Sequence, residues 1–311
     1  KTGKKDTAAG HFSKYIHEMQ GKRSTKIADA YNRLGDNYFT KSNYNQAIEN
    51  YTMSYNMRLY EADYALLQIA FCLGLQQKQQ EKISKLNLLL SGFPESEYRD
   101  DALYELGRAY ERLDNNYEAI QQYRQIVNNY PESTFCRKAL LQLGLVNYNN
   151  GEFKKALKQY KQVAENYRGT SEANAALSGI KNCYIELNNV DAYFNYVKKL
   201  GGNTNVSTSE QDELSYQAAE RLYMEGDSNA QQQLEQYLQR FPNGTKSVNA
   251  HYYLAEIFYK EGKYTEANEH YTEIANQPDN IFSEAALSKA SELQFNAQNY
   301  AIALNMFNRL E

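Results

Sequence analysis

A step of 37 residues runs through this chain and constrains its fold more than any other feature. Pro131 lies 37 residues after Pro94, and Pro242 lies 111, three times 37, after Pro131. Between them the same step places punctuation near Arg168, beside Gly169, and near Asn205, in the Gly201-Gly202-Asn203 loop. A fixed period of this size implies a stack of similar helical units, each burying an apolar face that it cannot cover alone. Such arrays are usually binding surfaces rather than catalysts.

The unit reads best as Leu103-x-x-Leu106-Gly107-x-x-Tyr110, then Ala119-x-x-x-Tyr123, closed by Pro131. Stepping by 37, the inner position of the first helix reads Leu66, Leu103, Leu140, Leu177 and Leu214, and His251 breaks the run. Three residues on stand Ile69, Leu106, Leu143, Ile180, Gln217 and Leu254. The next position must be small, because there the two helices of a unit come closest. It reads Ala70, Gly107, Gly144, Lys181, Ala218 and Ala255. In the second helix the small residue reads Lys82, Ala119, Ala156, Tyr193, Ala230 and Ala267, and one turn later a bulky plug reads Leu86, Tyr123, Tyr160, Val197, Leu234 and Tyr271. An earlier copy runs Tyr31-x-x-Leu34-Gly35-x-x-Tyr38, then Ala47-x-x-x-Tyr51, and a last one runs from about Ser283 through Leu287 and Ala290 to Ala303 and Phe307.

This pattern resembles the tetratricopeptide repeat over about residues 24 to 311. The resemblance implies an all-α fold, a right-handed superhelical solenoid of about eight stacked antiparallel helix pairs. It also implies a boundary scheme. Residues 1–23 form an N-terminal segment completing a preceding repeat, 24–200 hold repeats 1 to 5, 201–209 form an interrupting loop, and 210–311 hold repeats 6 to 8, the last cut short. Lys82, Lys181 and Tyr193 stand where small residues belong, so repeats 2 and 5 are the expected places for loosened packing.

The extra residues of the 37-residue period, against the common ~34, fall between Pro131 and the next first helix. They should lengthen each first helix by about one turn. Pro94-Glu95-Ser96, Pro131-Glu132-Ser133 and Pro242-Asn243-Gly244-Thr245 place a hydroxyl where it can accept from unpaired amides of that turn. This punctuation is similar to the subgroup of the family found in bacterial envelope proteins, such as the Tol/Pal-associated coordinator protein and the outer-membrane assembly lipoprotein. The likeness implies a periplasmic or envelope-associated location. The alternative is the input domain of a cytoplasmic signalling protein, a kinase or transcription regulator, with its output domain elsewhere.

Charge argues against nucleic acid: 34 Lys and Arg stand against 38 Asp and Glu, for a net charge of −4. The basic start, with Lys1, Lys4, Lys5, Lys22, Arg23 and Lys26, is short and reads as a solvated segment. No apolar run approaches the ~18 residues that would span a bilayer. The start lacks the apolar stretch of a signal peptide, and the last repeat stops at Glu311 with its second helix barely complete, so the sequence reads as a piece of something longer. Cys72, Cys136 and Cys183 fall in helices in different repeats, which implies three reduced, mostly buried thiols.

No metal site or cofactor is expected, since no CxxC exists and His11, His17, His251 and His270 include no pair at i, i+4 spacing. Phosphate loops, nucleophile elbows and His-Glu-x-x-His are also missing, and the carboxylates, Glu105 and Glu111 for example, read as solvated faces, so no catalytic residue is expected. Asn205 and Asn243 begin Asn-x-Ser/Thr triplets, relevant only to a eukaryotic secreted chain.

A partner site must then come from geometry. In proteins of this family, first-helix residues one and two turns from the core line the concave face. Mapped here, they are Tyr64, Leu67 and Phe71 in repeat 2; Tyr104, Arg108 and Arg112 in repeat 3; Leu141, Leu145 and Tyr148 in repeat 4; and Tyr252, Glu256 and Tyr259 in repeat 7. Apolar and aromatic side chains on a wet face imply a groove for a peptide or amphipathic helix of a protein partner. The alternative is that a tightly wound array buries some of them. The Lys and Asn with which some relatives clamp a chaperone's C-terminal carboxylate are replaced here by Tyr104 and Arg108. The expected role is a non-catalytic protein-binding scaffold, with self-association through the solenoid ends as a further possibility.

Overall fold

The computed structural model describes residues 2–201 and 206–310, with side chains from residue 8 onward. Helix α1 (Thr2–Glu18) is followed by eight helix pairs. In the first half of the chain these are α2 (Thr25–Thr40) with α3 (Tyr44–Met57), α4 (Ala62–Leu75) with α5 (Gln79–Gly92), α6 (Arg99–Glu111) with α7 (Asn116–Asn129), and α8 (Thr134–Asn149) with α9 (Phe153–Asn166). The remaining pairs are α10 (Ser171–Glu186) with α11 (Val190–Leu200), α12 (Thr208–Glu225) with α13 (Ala230–Arg240), α14 (Ser247–Lys260) with α15 (Tyr264–Ala275), and α16 (Ser283–Asn296) with α17 (Tyr300–Asn308). The pairs coincide with repeats 1 to 8, and no strand occurs among the described residues.

The chain forms two compact units, 1–177 and 178–311. The division falls inside α10, the helix that carries Lys181 where other repeats have Gly or Ala. The segment 201–209, expected to interrupt the array, lies partly outside the described residues, as do Gly202, Asn203 and Asn205.

Within a repeat the two helices are held by a ring laid on a bare backbone. A Cβ added to Gly35, Gly107 or Gly144 would stand 2.6, 2.4 and 2.4 Å from a ring carbon of Tyr51, Tyr123 and Tyr160 respectively. The crossing residues Ala47, Ala119 and Ala156 are fully buried, and so are the Tyr51 and Tyr123 side chains. Where the small residue is Ala70 or Ala218, the plug in register is Leu86 or Leu234 instead of tyrosine. At these two crossings volume is traded, as close packing requires, whereas Ala255 keeps a fully buried tyrosine, Tyr271. The turn inside each repeat carries one residue of positive φ, at Ser42, Gln77, Asp114, Gly151, Asn188, Gly226, Gly262 and Gln298. Only three of these eight are glycine, so the turn is poorly marked in the sequence.

Helix ends are closed by side chains from neighbouring elements. Arg99 of α6 donates from Nη1 to the Leu90 carbonyl of α5 at 2.7 Å, and Arg221 of α12 donates from Nη2 to the Glu186 carbonyl of α10 at 3.1 Å. Both satisfy carbonyls left free in a last helical turn. The hydroxyls after the prolines behave differently from one another. Ser133 caps α8 as expected, its Oγ accepting from the Phe135 amide at 2.9 Å, and α8 begins three residues after Pro131. Thr245 does not cap α14. Its amide and hydroxyl both donate to Asp212 Oδ2, at 2.8 and 3.2 Å, because that buried carboxylate needs donors. Ahead of α6, the Ser96 Oγ accepts from Tyr98 in a turn, so there the extra residues lengthen the turn and not the helix.

All three cysteines are free and buried, and burial pushes the Cys72 and Cys183 thiols up to about 12. In the C-terminal unit, His251 meets His270 of α15 across the pair, Nδ1 to Nδ1 at 2.8 Å, and the His270 ring stacks on Phe258. The i, i+4 rule cannot see this pairing, which spans two helices. Burial lowers both histidines, His251 to about 4; the charge of His270 lowers His251 further, while Glu273 opposes the shift at both and Glu235 at His270.

Two predictions follow from these contacts. Gly107→Ala should cost about 1–3 kcal/mol in urea unfolding, and adding Tyr123→Leu should recover part of that loss, although Tyr123→Leu alone leaves a cavity; strict additivity of the two would contradict the packing account. For the histidines, the unfolded state takes up protons near 6.5 that the folded state refuses down to about 4. Stability should therefore fall as pH falls through that window, and His251→Leu, the residue of five other repeats, should flatten the dependence in denaturation series run from pH about 7 to about 4.

Candidate functional site

In the N-terminal unit a cleft of about 270 Å³ opens between α2, α4, α5 and α6. Phe39, Phe71 and Leu75 supply its apolar walls, and Gln79, Lys82, Glu105, Arg108 and Arg112 its polar ones. Three of the residues mapped to the wet face, Phe71, Arg108 and Arg112, are brought together here, two of them exactly three and seven residues beyond Glu105 on α6 and its C-cap.

The floor of the cleft is an ion pair at the helix crossing of repeat 2. Lys82, 5% exposed, places Nζ on Glu105 Oε2, and Arg108 Nη1 reaches Glu105 Oε1 at 3.3 Å. Gly74 makes room: a Cβ there would meet Lys82 Cδ at 3.2 Å. Glu105, expected on a solvated face, is 8% exposed, because only a carboxylate on the facing helix can compensate the buried ammonium. Glu111 is also drawn inward; burial raises its pKa, opposed by the Tyr123 hydroxyl and Arg108. Burial lowers the pKa of Lys82, Glu105 opposes this, and the charges of Arg108 and Arg112 add to the lowering. Three cations thus surround one carboxylate whose two oxygens are already engaged. The Arg112 guanidinium has no ion-pair or hydrogen-bond partner among the described residues. Gln79, 7% exposed, keeps its Oε1 buried without a donor.

The other mapped residues take different roles. Leu67 is 3% exposed and belongs to the core around Leu66, Ala70 and Leu86, since the helix turns it toward its neighbours and away from solvent. Tyr64 is half-buried and donates to Asp36 Oδ1 at 2.7 Å, beside the Tyr51 hydroxyl. The Tyr104 ring packs between Tyr123 and Phe135. On α8, Leu145 is 45% exposed, Leu141 is half-buried, and Tyr148 lies edge-on to Phe153. In the C-terminal unit Tyr252 stacks on Phe282 at 4.3 Å, Glu256 accepts from the Tyr271 hydroxyl, and Tyr259 carries the Lys289 ammonium 4.5 Å above its ring. Phe39, Leu75, Gln79 and Lys82 were absent from the mapped set; Lys82 at a small-residue position was the available signal.

Among the described residues no group of three or more His, Cys, Asp or Glu side chains could hold a metal ion, and no helix is long and apolar enough to cross a membrane. The cleft presents charge and apolar surface, with no nucleophile poised beside a base.

Replacing Glu105 by Gln should strand the Lys82 ammonium and cost about 3 kcal/mol in chemical unfolding. Adding Lys82→Met to that variant should restore part of the loss, because the stranded ammonium is removed and only the neutral amide introduced at position 105 is left to be satisfied.

Comparison with known proteins agrees with the architecture. Models described as tetratricopeptide repeat match residues 28–55, 101–133, 138–170 and 216–281, half of the chain in all. A chain in the structure of Naa15/Naa10 bound to HypK-THB superposes with a TM-score of 0.55 at 16% identity, covering 89% of this chain and 42% of that one. BtubC (BKLC) from P. vanneervenii gives 0.51 at 10% identity, over 64% of this chain and 87% of its own. A tetratricopeptide repeat protein from Parabacteroides merdae ATCC 43184 gives 0.48 at 16% identity, over 87% of this chain and 99% of its own. At these identities the likeness is one of fold. No curated protein matches the sequence. With eight helix pairs in register with the repeat and these matched segments, the chain belongs to the tetratricopeptide repeat family.

Proposed function

We propose that this chain is a non-catalytic interaction module that binds a segment of a partner protein on the first-helix faces of its repeats. The observation that carries the reading is the α4–α5–α6 cleft, where Phe71, Arg108 and Arg112 converge and where a buried amide oxygen and an exposed guanidinium are left without partners. Proteins of this family generally mediate protein–protein interaction. Exposed Leu145, with Leu141 and Tyr148 on α8, extends the apolar surface available to a partner in the same unit. In the C-terminal unit Tyr252, Glu256 and Tyr259 offer an aromatic and acidic counterpart.

The compartment we propose is the bacterial periplasm, on the likeness of the repeat punctuation to envelope proteins of this family. Three free thiols count against that oxidising compartment, but their burial, which raises Cys72 and Cys183, keeps them unreactive enough to persist there. Detection in the periplasmic fraction of the source cells would support the assignment; confinement to the cytosolic fraction would favour the signalling-domain alternative.

Selection from a phage-displayed peptide library tests the binding role. Peptides enriched on the wild-type chain should lose about tenfold or more in affinity on Leu75→Asp or Leu145→Asp, two exposed positions whose variants should keep the wild-type circular dichroism. Enriched peptides indifferent to both substitutions would overturn the site.

A further inference from the structure

We infer that the α4–α5–α6 cleft is specific for an acidic peptide segment, one that brings a carboxylate to Arg112 and Arg108, a main-chain amide to Gln79 and an apolar side chain to the wall of Phe39, Phe71 and Leu75. The inference rests on the peptide-binding reading above and adds the chemistry of the partner.

Three independent features carry it. The first is the position of Lys82. At this crossing the repeats otherwise use Ala47, Ala119, Ala156, Ala230 and Ala267, all at most 4% exposed, with Tyr193 the other exception. A methyl group satisfies the packing there, and a buried ammonium opposes stability through its lost hydration. A residue that breaks the local rule of its own repeat without a packing gain marks a site. The second is the charge balance. Glu105 has one oxygen on Lys82 and the other on Arg108, so nothing remains to neutralise Arg112. An incoming carboxylate at Arg112 would relieve the mutual repulsion of Lys82, Arg108 and Arg112, and a planar guanidinium fits a carboxylate in a paired geometry.

The third feature is Gln79. Its Oε1 is buried with no donor, in a side chain more than nine-tenths buried that lines the cleft. A buried acceptor of this kind is costly until a donor arrives, and a main-chain N–H is the donor every peptide carries. A free inorganic anion would satisfy Arg112 but offers neither the N–H nor the apolar group for Leu75, which is 54% exposed. The shape and chemistry together favour an extended peptide with an acidic residue beside an apolar one.

The test uses the full chain and three fluorescein-labelled peptides followed by fluorescence anisotropy. Two end in amides and carry the sequences Gly-Leu-Glu-Glu-Leu-Gly and Gly-Leu-Gln-Gln-Leu-Gly; the third is the Gln sequence with a free C-terminus. The Glu peptide should bind about tenfold more tightly than its amidated Gln twin, the advantage shrinking as salt is raised and vanishing in Arg112→Glu. Gln79→Leu should weaken the Glu and Gln peptides alike, because it removes the acceptor for the main chain. Tight binding by the third peptide would support the carboxylate chemistry and assign it to a chain end instead of a side chain. Equal binding of the two amidated peptides, still abolished by Leu75→Asp, would overturn the acidic preference while leaving the cleft as a peptide site. Binding by none of the three would overturn both. Circular dichroism of each variant separates loss of binding from loss of fold.

Discussion

Everything in this molecule depends on the distance at which the two helices of a repeat cross. That distance is set by a glycine or alanine on the first helix against a ring or leucine on the second. Gly35, Gly107 and Gly144 leave no room for a single added carbon beneath Tyr51, Tyr123 and Tyr160. Interiors are packed as densely as crystals, and at two crossings the plug shrinks where the first helix carries a methyl group, Ala70 with Leu86 and Ala218 with Leu234, while Ala255 keeps the buried ring of Tyr271. Repeated within each unit, the crossing gives successive pairs the same build. The surface we propose for binding follows from that regularity.

We place function where the regularity is broken and the break is compensated. Lys82 occupies an alanine position of repeat 2, and Glu105 of repeat 3 is drawn out of solvent to meet it. One substitution in the pattern thereby charges the floor of a cleft; Arg108 on α6 shares the Glu105 carboxylate, and Arg112 at its C-cap adds a cation with no ion-pair partner among the described residues. His251 is a second break. It replaces a leucine, is compensated by His270 on the facing helix, and ties the packing of repeat 7 to pH rather than to a ligand.

The fold was legible because packing is periodic. The 37-residue step, the Leu-Gly pairs and the Ala-x-x-x-Tyr segments are enough to place about eight pairs, and the buried thiols follow from helix positions. What escaped was pairing between residues distant in sequence. His251 and His270 lie 19 apart and on different helices, so no single-helix rule joins them. Glu105 was read as solvated because a carboxylate in an amphipathic helix usually is, while the cation that buries it lies 23 residues earlier. Lys82 was recognised as out of place, but its meaning depended on Glu105. Of the residues mapped to a wet face, Phe71, Arg108 and Arg112 meet in the cleft, Leu67 turns into the core, and Tyr64, Tyr104 and Tyr252 spend their rings or hydroxyls on neighbours. Position along a helix gives the face, and the neighbours then decide which side chains remain available.

The central claim is that the compensated break at Lys82 makes the α4–α5–α6 cleft the place where a partner segment binds. Hydrogen–deuterium exchange of the full chain, with and without a saturating acidic peptide, tests it most directly. The account predicts slowed amide exchange in residues 71–82 and 105–112, with the C-terminal unit unchanged. Protection confined to other helices, with these two segments exchanging at their free rates, would contradict it.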